Sequence, residues 1–130
     1  MTAPFLRFPD VQRVLVDDLE TLAGVGHTAI ETPVDLAGSL PFVRVLRIGG
    51  PSDHLNDHAS IDIDVFAATY DACEQLAEQI RQHLVGPPPP VAALDWVGCD
   101  AGPREMPWGD GTIRRFNATY TVVSRRRLSG

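Results

Sequence analysis

The sequence predicts an α+β domain, a mixed and mostly antiparallel sheet of about five strands with two helices packed on one face. Two segments, after Asp10 and after Thr69, have apolar residues at the three- and four-residue spacing of an amphipathic helix. Other segments alternate apolar and polar residues or are rich in β-branched and aromatic residues, which is typical of strands. The predicted element order is α-β-β-β-α-β-β, in a single domain over residues 1–130.

The first helix is predicted to begin after Asp10, whose side chain is a good N-cap. Its apolar stripe comprises Val11, Val14, Leu15, Leu19 and Leu22, and Gly24 and Gly26 are expected to end it. A short strand follows at His27–Glu31, and the proline-bounded segment Pro33–Pro41 is predicted to be a loop.

Two central strands are predicted next, at Phe42–Ile48 and Ser60–Phe66. The first is partly apolar on both faces, which favours helices on one side and a neighbouring subunit on the other. The second alternates cleanly, so Ile61, Ile63 and Val65 should face the core. Ser60, Asp62 and Asp64 should then form a solvent-exposed acidic face.

The second helix is predicted over Tyr70–Leu84, with an apolar stripe of Cys73, Leu76, Ala77, Ile80 and Leu84. Gly86 and the stiff polyproline run Pro87–Pro90 end it. The last two strands are expected at Ala92–Cys99 and Arg115–Arg125. On the final strand, one face is predicted to carry Phe116, Ala118, Tyr120 and Val122.

Composition excludes several classes of protein. All eleven basic residues are arginine, so neither a Schiff-base lysine nor a phosphate-loop lysine is possible. The net charge of −6 argues against a protein that coats nucleic acid, and we expect no sequence-specific nucleic-acid partner. No run of 18 apolar residues occurs, so we expect no membrane span. The first residues lack the basic-then-apolar order of a signal peptide, so we expect a cytosol-like compartment.

Charge is distributed unevenly along the chain. Residues 104–127 hold six arginines against Glu105 and Asp110, a balance of +4, whereas residues 1–103 have a balance of −10. An acidic body with a basic end predicts head-to-tail association between copies.

The loop before the last strand carries Met106 and Trp108, residue types that are enriched in interface cores. We expect Met106, Trp108, Arg114 and Arg115 to form a subunit or tube contact. The alternative for Trp108 is packing against its own core. The Arg125–Arg127 run is either a solubilising tail or a contact site.

Catalytic and metal sites are weakly indicated. The residues Asp53, His54, Asp57, His58, Asp62 and Asp64 include the ligand types of a divalent metal site, but Gly49, Gly50 and Pro51 favour a solvated loop beside an acidic strand. Cys73 lies on an apolar stripe, where a thiol is inert, and Cys73 and Cys99 are expected to be small buried hydrophobes. We therefore expect no catalytic residues, no cofactor and no metal.

Four stretches of the chain together resemble a known family. They are Phe8–Leu19, Leu40–Gly50, Ile61–Arg81, and Gly102–Trp108 continuing into Ile113–Val122. In pattern and order they are similar to the tail terminator (tail completion) proteins of long-tailed bacteriophages, particularly those of actinobacterial hosts. The Pro87–Pro90 run is not a feature of the resemblance.

The resemblance implies an α+β structural protein without catalysis or cofactor. It implies a hexameric ring that caps the tail tube, stops its growth and offers a face for head-tail joining. The implied partners are further copies of this chain, the major tail tube protein and a head-completion protein. The implied location is the head-proximal end of the virion tail, assembled in the host cytoplasm.

Two alternatives and one further hypothesis accompany this interpretation. The protein could instead be a head-completion or neck adaptor of the phage connector, or a small enzyme or metal-binding domain that uses the Asp53–Asp64 segment. Within a ring, we expect Asp62 and Asp64 to face the lumen, where negative charge would keep passing genome DNA from sticking.

Overall fold

A computed structural model describes residues 6–22, 24, 26–109 and 111–128 and confirms the α+β class. Two helices, one short 3-10 turn at Ala37–Ser39 and seven strands follow one another along these residues. The helices are α1 (Val11–Glu20) and α2 (Tyr70–Leu84). The strands are β1 (Leu6–Arg7), β2 (His27–Ala29), β3 (Phe42–Gly49), β4 (Asn56–Ala67), β5 (Trp96–Glu105), β6 (Arg114–Arg125) and β7 (Arg127–Leu128).

Both helices begin where the sequence predicts. The Asp10 side chain accepts a hydrogen bond from the Arg13 amide at 3.3 Å, and the Thr69 hydroxyl accepts one from the Ala72 amide at 3.2 Å. These caps satisfy backbone donors that the first helical turn leaves without partners. Neither helix of the described residues has the length and apolar character needed to cross a membrane.

The main sheet has five strands in the order β2-β3-β4-β6-β5. The β2–β3 pair is parallel, whereas β3–β4, β4–β6 and β6–β5 are antiparallel. This is the mixed, mostly antiparallel sheet that the sequence predicts. Because β4 and β6 are both 12 residues long and pair along their whole length, they form the centre of the sheet.

The strand predictions need several corrections, and the first is that β4 begins at Asn56 rather than Ser60. β5 begins at Trp96 rather than Ala92, and it continues to Glu105, through residues that were predicted to be a loop. As an edge strand, β5 pairs only with β6 and accommodates Gly102 and Pro103 at bulges between Cys99 and Arg104. A further correction is the antiparallel pair of β1 and β7, two strands that the sequence did not predict.

The two faces of the sheet are covered differently. One face packs against α1 and α2 and forms the main core, which includes Val43, Ile61, Ile63, Val65 and the predicted stripes of both helices. On the opposite face, a second cluster of Leu36, Phe42, Phe66 and Ile113 is covered by loops of the same chain. Further along that face the side chains of Leu46 and Ile48 are exposed.

Candidate interaction site

The arginines of the C-terminal segment lie at the two opposite ends of the sheet. Arg114 and Arg115 begin β6, and Arg125 ends it. A strand of 12 residues is about 36 Å long. We call the end at which β4 finishes and β6 begins the Trp108 end, and the end at which β6 finishes the Leu55 end. β6 therefore divides these arginines into two groups, one at each end of the sheet.

Neighbouring carboxylates offset much of this basic charge. In the described residues, four of the six arginines in 104–127 form ion pairs. Arg114 pairs with Glu105 at 3.0 Å and Arg115 with Asp64 at 3.0 Å, while Arg125 and Arg127 share Asp95 at 3.2 and 3.8 Å. The net positive charge at each end is therefore smaller than the sequence alone indicates.

Asp64 is the centre of a buried polar network at the Trp108 end. The residue is 2% exposed, and its carboxylate accepts hydrogen bonds from Arg44 Nη2 at 2.5 Å, Arg115 Nε at 3.0 Å and Asn117 Nδ2 at 3.0 Å. The prediction of a solvated acidic face is wrong for Asp64, because β3 and β6 place donors on both sides of it.

Asp62 differs from Asp64 although it lies on the same face of β4. It is partly exposed and accepts one hydrogen bond, from the Thr119 hydroxyl at 2.8 Å. Its carboxylate has no arginine partner among the described residues. The placement of Asp62 and Asp64 in a ring lumen stays a prediction, with Asp62 as the residue that can present negative charge.

Met106, Trp108, Arg114 and Arg115 all line one groove of about 360 Å³ at the Trp108 end, together with Ile113. The structure thus brings together all four residues that the sequence singled out. We call this concavity the Trp108 groove. Its role as an interface stays a prediction.

Trp108 itself packs against its own chain and still contributes to the groove. Its ring meets Phe66 edge to face, with 4.8 Å between centroids, and the Arg115 guanidinium lies 5.6 Å from the Trp108 ring centroid. The side chain is half-buried. Trp108 therefore packs against the second cluster of its own chain, while its role in a contact stays a prediction.

The candidate metal cluster is dispersed. Asp53 accepts hydrogen bonds from the Leu55 and Asn56 amides at 2.7 and 2.8 Å, and these backbone donors lower the pKa of its carboxyl. Asp57 is buried and pairs with Arg47 at 2.7 Å. Across the described part of the chain, no group of three His, Cys, Asp or Glu side chains could hold a metal ion.

Neither thiol has the features of an activated nucleophile. Cys73 is buried, as predicted, and burial raises its pKa to about 11. Cys99 is half-buried rather than fully buried, and partial burial raises its pKa as well. Both groups are therefore protonated at neutral pH, where a thiol is a poor nucleophile.

A second groove, at the Leu55 end, was not found from the sequence. It has a volume of about 500 Å³ and is lined by Leu6, His54, Leu55, Asn56, Arg125 and Arg126. We call it the Leu55 groove. The signal for it in the sequence was the isolated leucine in the polar segment Ser52–Asp57.

The arginines beside the Leu55 groove are held in place rather than forming a loose tail. Arg126 lies 4.8 Å from the Phe8 ring centroid, and Arg127 donates to the Ala92 carbonyl at 2.9 Å. The pairing of β7 with β1 fixes the backbone of the same segment. The exposed Arg125–Arg127 run is therefore an ordered part of the fold, and its role as a contact site stays a prediction.

An α+β domain with a partly apolar, partly charged groove at each end of its sheet has the features of a structural protein that acts through contacts with other proteins. Residues 7–88 match the family model described as phage tail termination protein, and this match covers more than half of the chain. The chain belongs to the phage tail termination protein family and is a structural component of the virion tail. A comparison with curated protein sequences finds no match.

Proposed function

We propose that this protein assembles into a hexameric ring that caps the tail tube, ends tail elongation and provides the surface for head-tail joining. Membership of the tail termination family is the observation that carries the proposal. The ring lies at the head-proximal end of the tail and is assembled in the host cytoplasm. It needs no cofactor and carries out no catalysis.

The two grooves support this role because a terminator must contact several proteins at once. The Trp108 groove and the Leu55 groove lie at opposite ends of the central strands. One subunit can therefore touch two neighbours at the same time, among them further copies, the major tail tube protein and the head-completion protein. Genome DNA passes through the lumen of such a ring without sequence-specific contacts.

Deleting the gene tests termination directly. We expect electron microscopy of particles that lack the protein to show overlong tails without heads, because nothing stops growth of the tube. Supplying the wild-type chain from a plasmid should restore normal tails. Tails of normal length that fail to join heads would contradict termination and support a neck adaptor instead.

Charge reversal at Arg114 tests the Trp108 groove as a functional contact. Arg114→Glu removes the ion pair with Glu105 at the groove rim and places two acids there. Both partners are substantially exposed, so the fold should persist. We expect rescue of the deletion by this variant to reduce the yield of infectious particles at least about tenfold relative to rescue by the wild-type chain.

The control for Arg114→Glu is Arg13→Glu, the same change at an exposed arginine on α1. Circular dichroism should show that both variants are folded. Arg115 is unsuitable for this test because it pairs with the buried Asp64. Particle yields from Arg114→Glu that equal those from Arg13→Glu would exclude the Trp108 groove from the contact.

A further inference from the structure

Among the large apolar side chains of the described residues, Val34, at the Trp108 end, is the most exposed. Its exposure is 109%, so nothing in the described chain covers it. It lies between two exposed acids, Glu31 and Asp35, and lines the same cleft as Trp108 and Ile113. We call Glu31–Asp35 the Val34 knob, an apolar projection with acidic flanks.

The Val34 knob is anchored on both sides. The Thr32 hydroxyl accepts a hydrogen bond from Arg44 Nη1 at 3.1 Å, and Leu36 is buried in the second cluster. The Asp35 carboxylate accepts one from the Gly38 amide at 3.1 Å. A projecting side chain on an anchored loop loses little conformational freedom on binding, which favours its use as a contact.

The Leu55 groove has the complementary properties. Its apolar lining includes Leu6 and Leu55, which are 56% and 67% exposed. Arg126 and Arg125 supply a basic rim, and Asp95 offsets part of the Arg125 charge. An apolar lining with a basic rim suits an apolar side chain between two carboxylates.

We propose that the Val34 knob of one copy inserts into the Leu55 groove of a second copy. The two surfaces lie at opposite ends of the 12-residue central strands, so they cannot meet within one subunit. A contact between two different patches is head-to-tail, and repetition of such a contact closes into a ring when the rotation allows it. The inference rests on the proposed ring and names the contact that joins its subunits.

The purified full-length chain tests the contact without any phage. Sedimentation velocity at low salt, about 50 mM, should show self-association that rises with concentration and weakens as salt is added. Val34→Asp and Leu55→Asp should each raise the dissociation constant at least about tenfold, because each places a charge in an apolar contact. Both positions are exposed, so neither change should unfold the chain.

Mixing the two variants gives the sharpest test. Val34→Asp keeps an intact groove and Leu55→Asp keeps an intact knob, so an equal mixture should form a dimer and nothing larger. Val85→Asp is the matched control, since Val85 is an exposed aliphatic residue directly after α2 and outside both surfaces, and it should associate like the wild type.

Four results would overturn the proposal. They are a wild-type chain that stays monomeric throughout, either variant associating like the wild type, a mixture that forms no dimer, and a Val85→Asp chain that associates as weakly as the two variants. None of these bears on termination itself, which the deletion phenotype decides. Long headless tails after gene deletion, with no effect of Val34→Asp in solution, would leave the proposed function standing and remove the knob contact alone.

Discussion

Replacing Asp64 with alanine is expected to lower the free energy of unfolding by about 3–5 kcal/mol, because it leaves two largely buried arginines without their carboxylate. The side chains of Arg44 and Arg115 are 23% and 19% exposed, and both bond to the Asp64 carboxylate. Asn117 would also lose its acceptor. Denaturation with urea, followed by circular dichroism, measures the effect.

Asp62→Ala is the matched control for this substitution. Asp62 lies two residues away on the same face of β4, but it is partly exposed and accepts one hydrogen bond, from Thr119. Its loss should cost about 1 kcal/mol. Equal effects of the two substitutions would show that the Asp64 network does not stabilise the fold.

The Asp64 network limits what the sequence can say about Arg115. The sequence places Arg115 beside the Trp108 groove and suggests that it contacts a partner. In the structure, the Arg115 Nε atom donates a hydrogen bond to Asp64, which lies 51 residues earlier in the same chain. A phenotype of Arg115→Glu would therefore mix lost stability with a lost contact, whereas Arg114 reports the contact more cleanly.

The helices and the central strands were predictable because local signals decide them. Asp10 and Thr69 mark the helix starts by their capping side chains, and the apolar stripe of α2 is buried at every predicted position. Alternation in β4 and β6 is strong because one face of each strand packs against the helices. β5 was predicted poorly because an edge strand with bulges has neither regular alternation nor two neighbours.

The Asp64 network was not predictable because it depends on strand order. Arg44 and Asp64 are 20 residues apart in sequence, and they meet only because β3 and β4 are neighbours. The pairing of β4 with β6 then brings Arg115 to the other side of the same carboxylate. Alternation alone places Asp64 opposite the main core, where an unpaired acid would be solvated.

The two grooves differ in the same respect, because the sequence indicates one of them and not the other. Met106, Trp108, Arg114 and Arg115 are close in sequence, so their common groove could be anticipated from a loop that leads into a strand. The Leu55 groove combines the first described strand, the loop before β4 and the end of β6. Residues so far apart meet only through the pairing of β1 with β7 and of β4 with β6.

Phe66→Ala is expected to destabilise the protein by about 3–5 kcal/mol and to release Trp108 from its position. Phe66 is buried at the centre of the second cluster, with ring centroids 4.8 Å from Trp108 and 6.2 Å from Phe42. Removing its ring leaves a cavity beneath Trp108. The Trp108 groove should then lose its shape even under conditions in which the rest of the chain stays folded.

The matched control is Phe116→Ala, which removes the same side chain from the main core, where Phe116 contacts Tyr70 rather than Trp108. Both variants are made in a Trp96→Phe background, so that Trp108 alone emits, since the chain has two tryptophans. At low temperature, Phe66→Ala should shift the Trp108 emission to the red while Phe116→Ala leaves it unchanged, although both lose similar stability. Unshifted emission from a folded Phe66→Ala chain would mean that the second cluster does not position Trp108. The rescue assay separates positioning from stability. If Phe66→Ala shows the red shift and fails to rescue the gene deletion, while Phe116→Ala rescues it, the function of the groove depends on the second cluster. Lost stability alone would not explain that difference, because both variants lose similar stability.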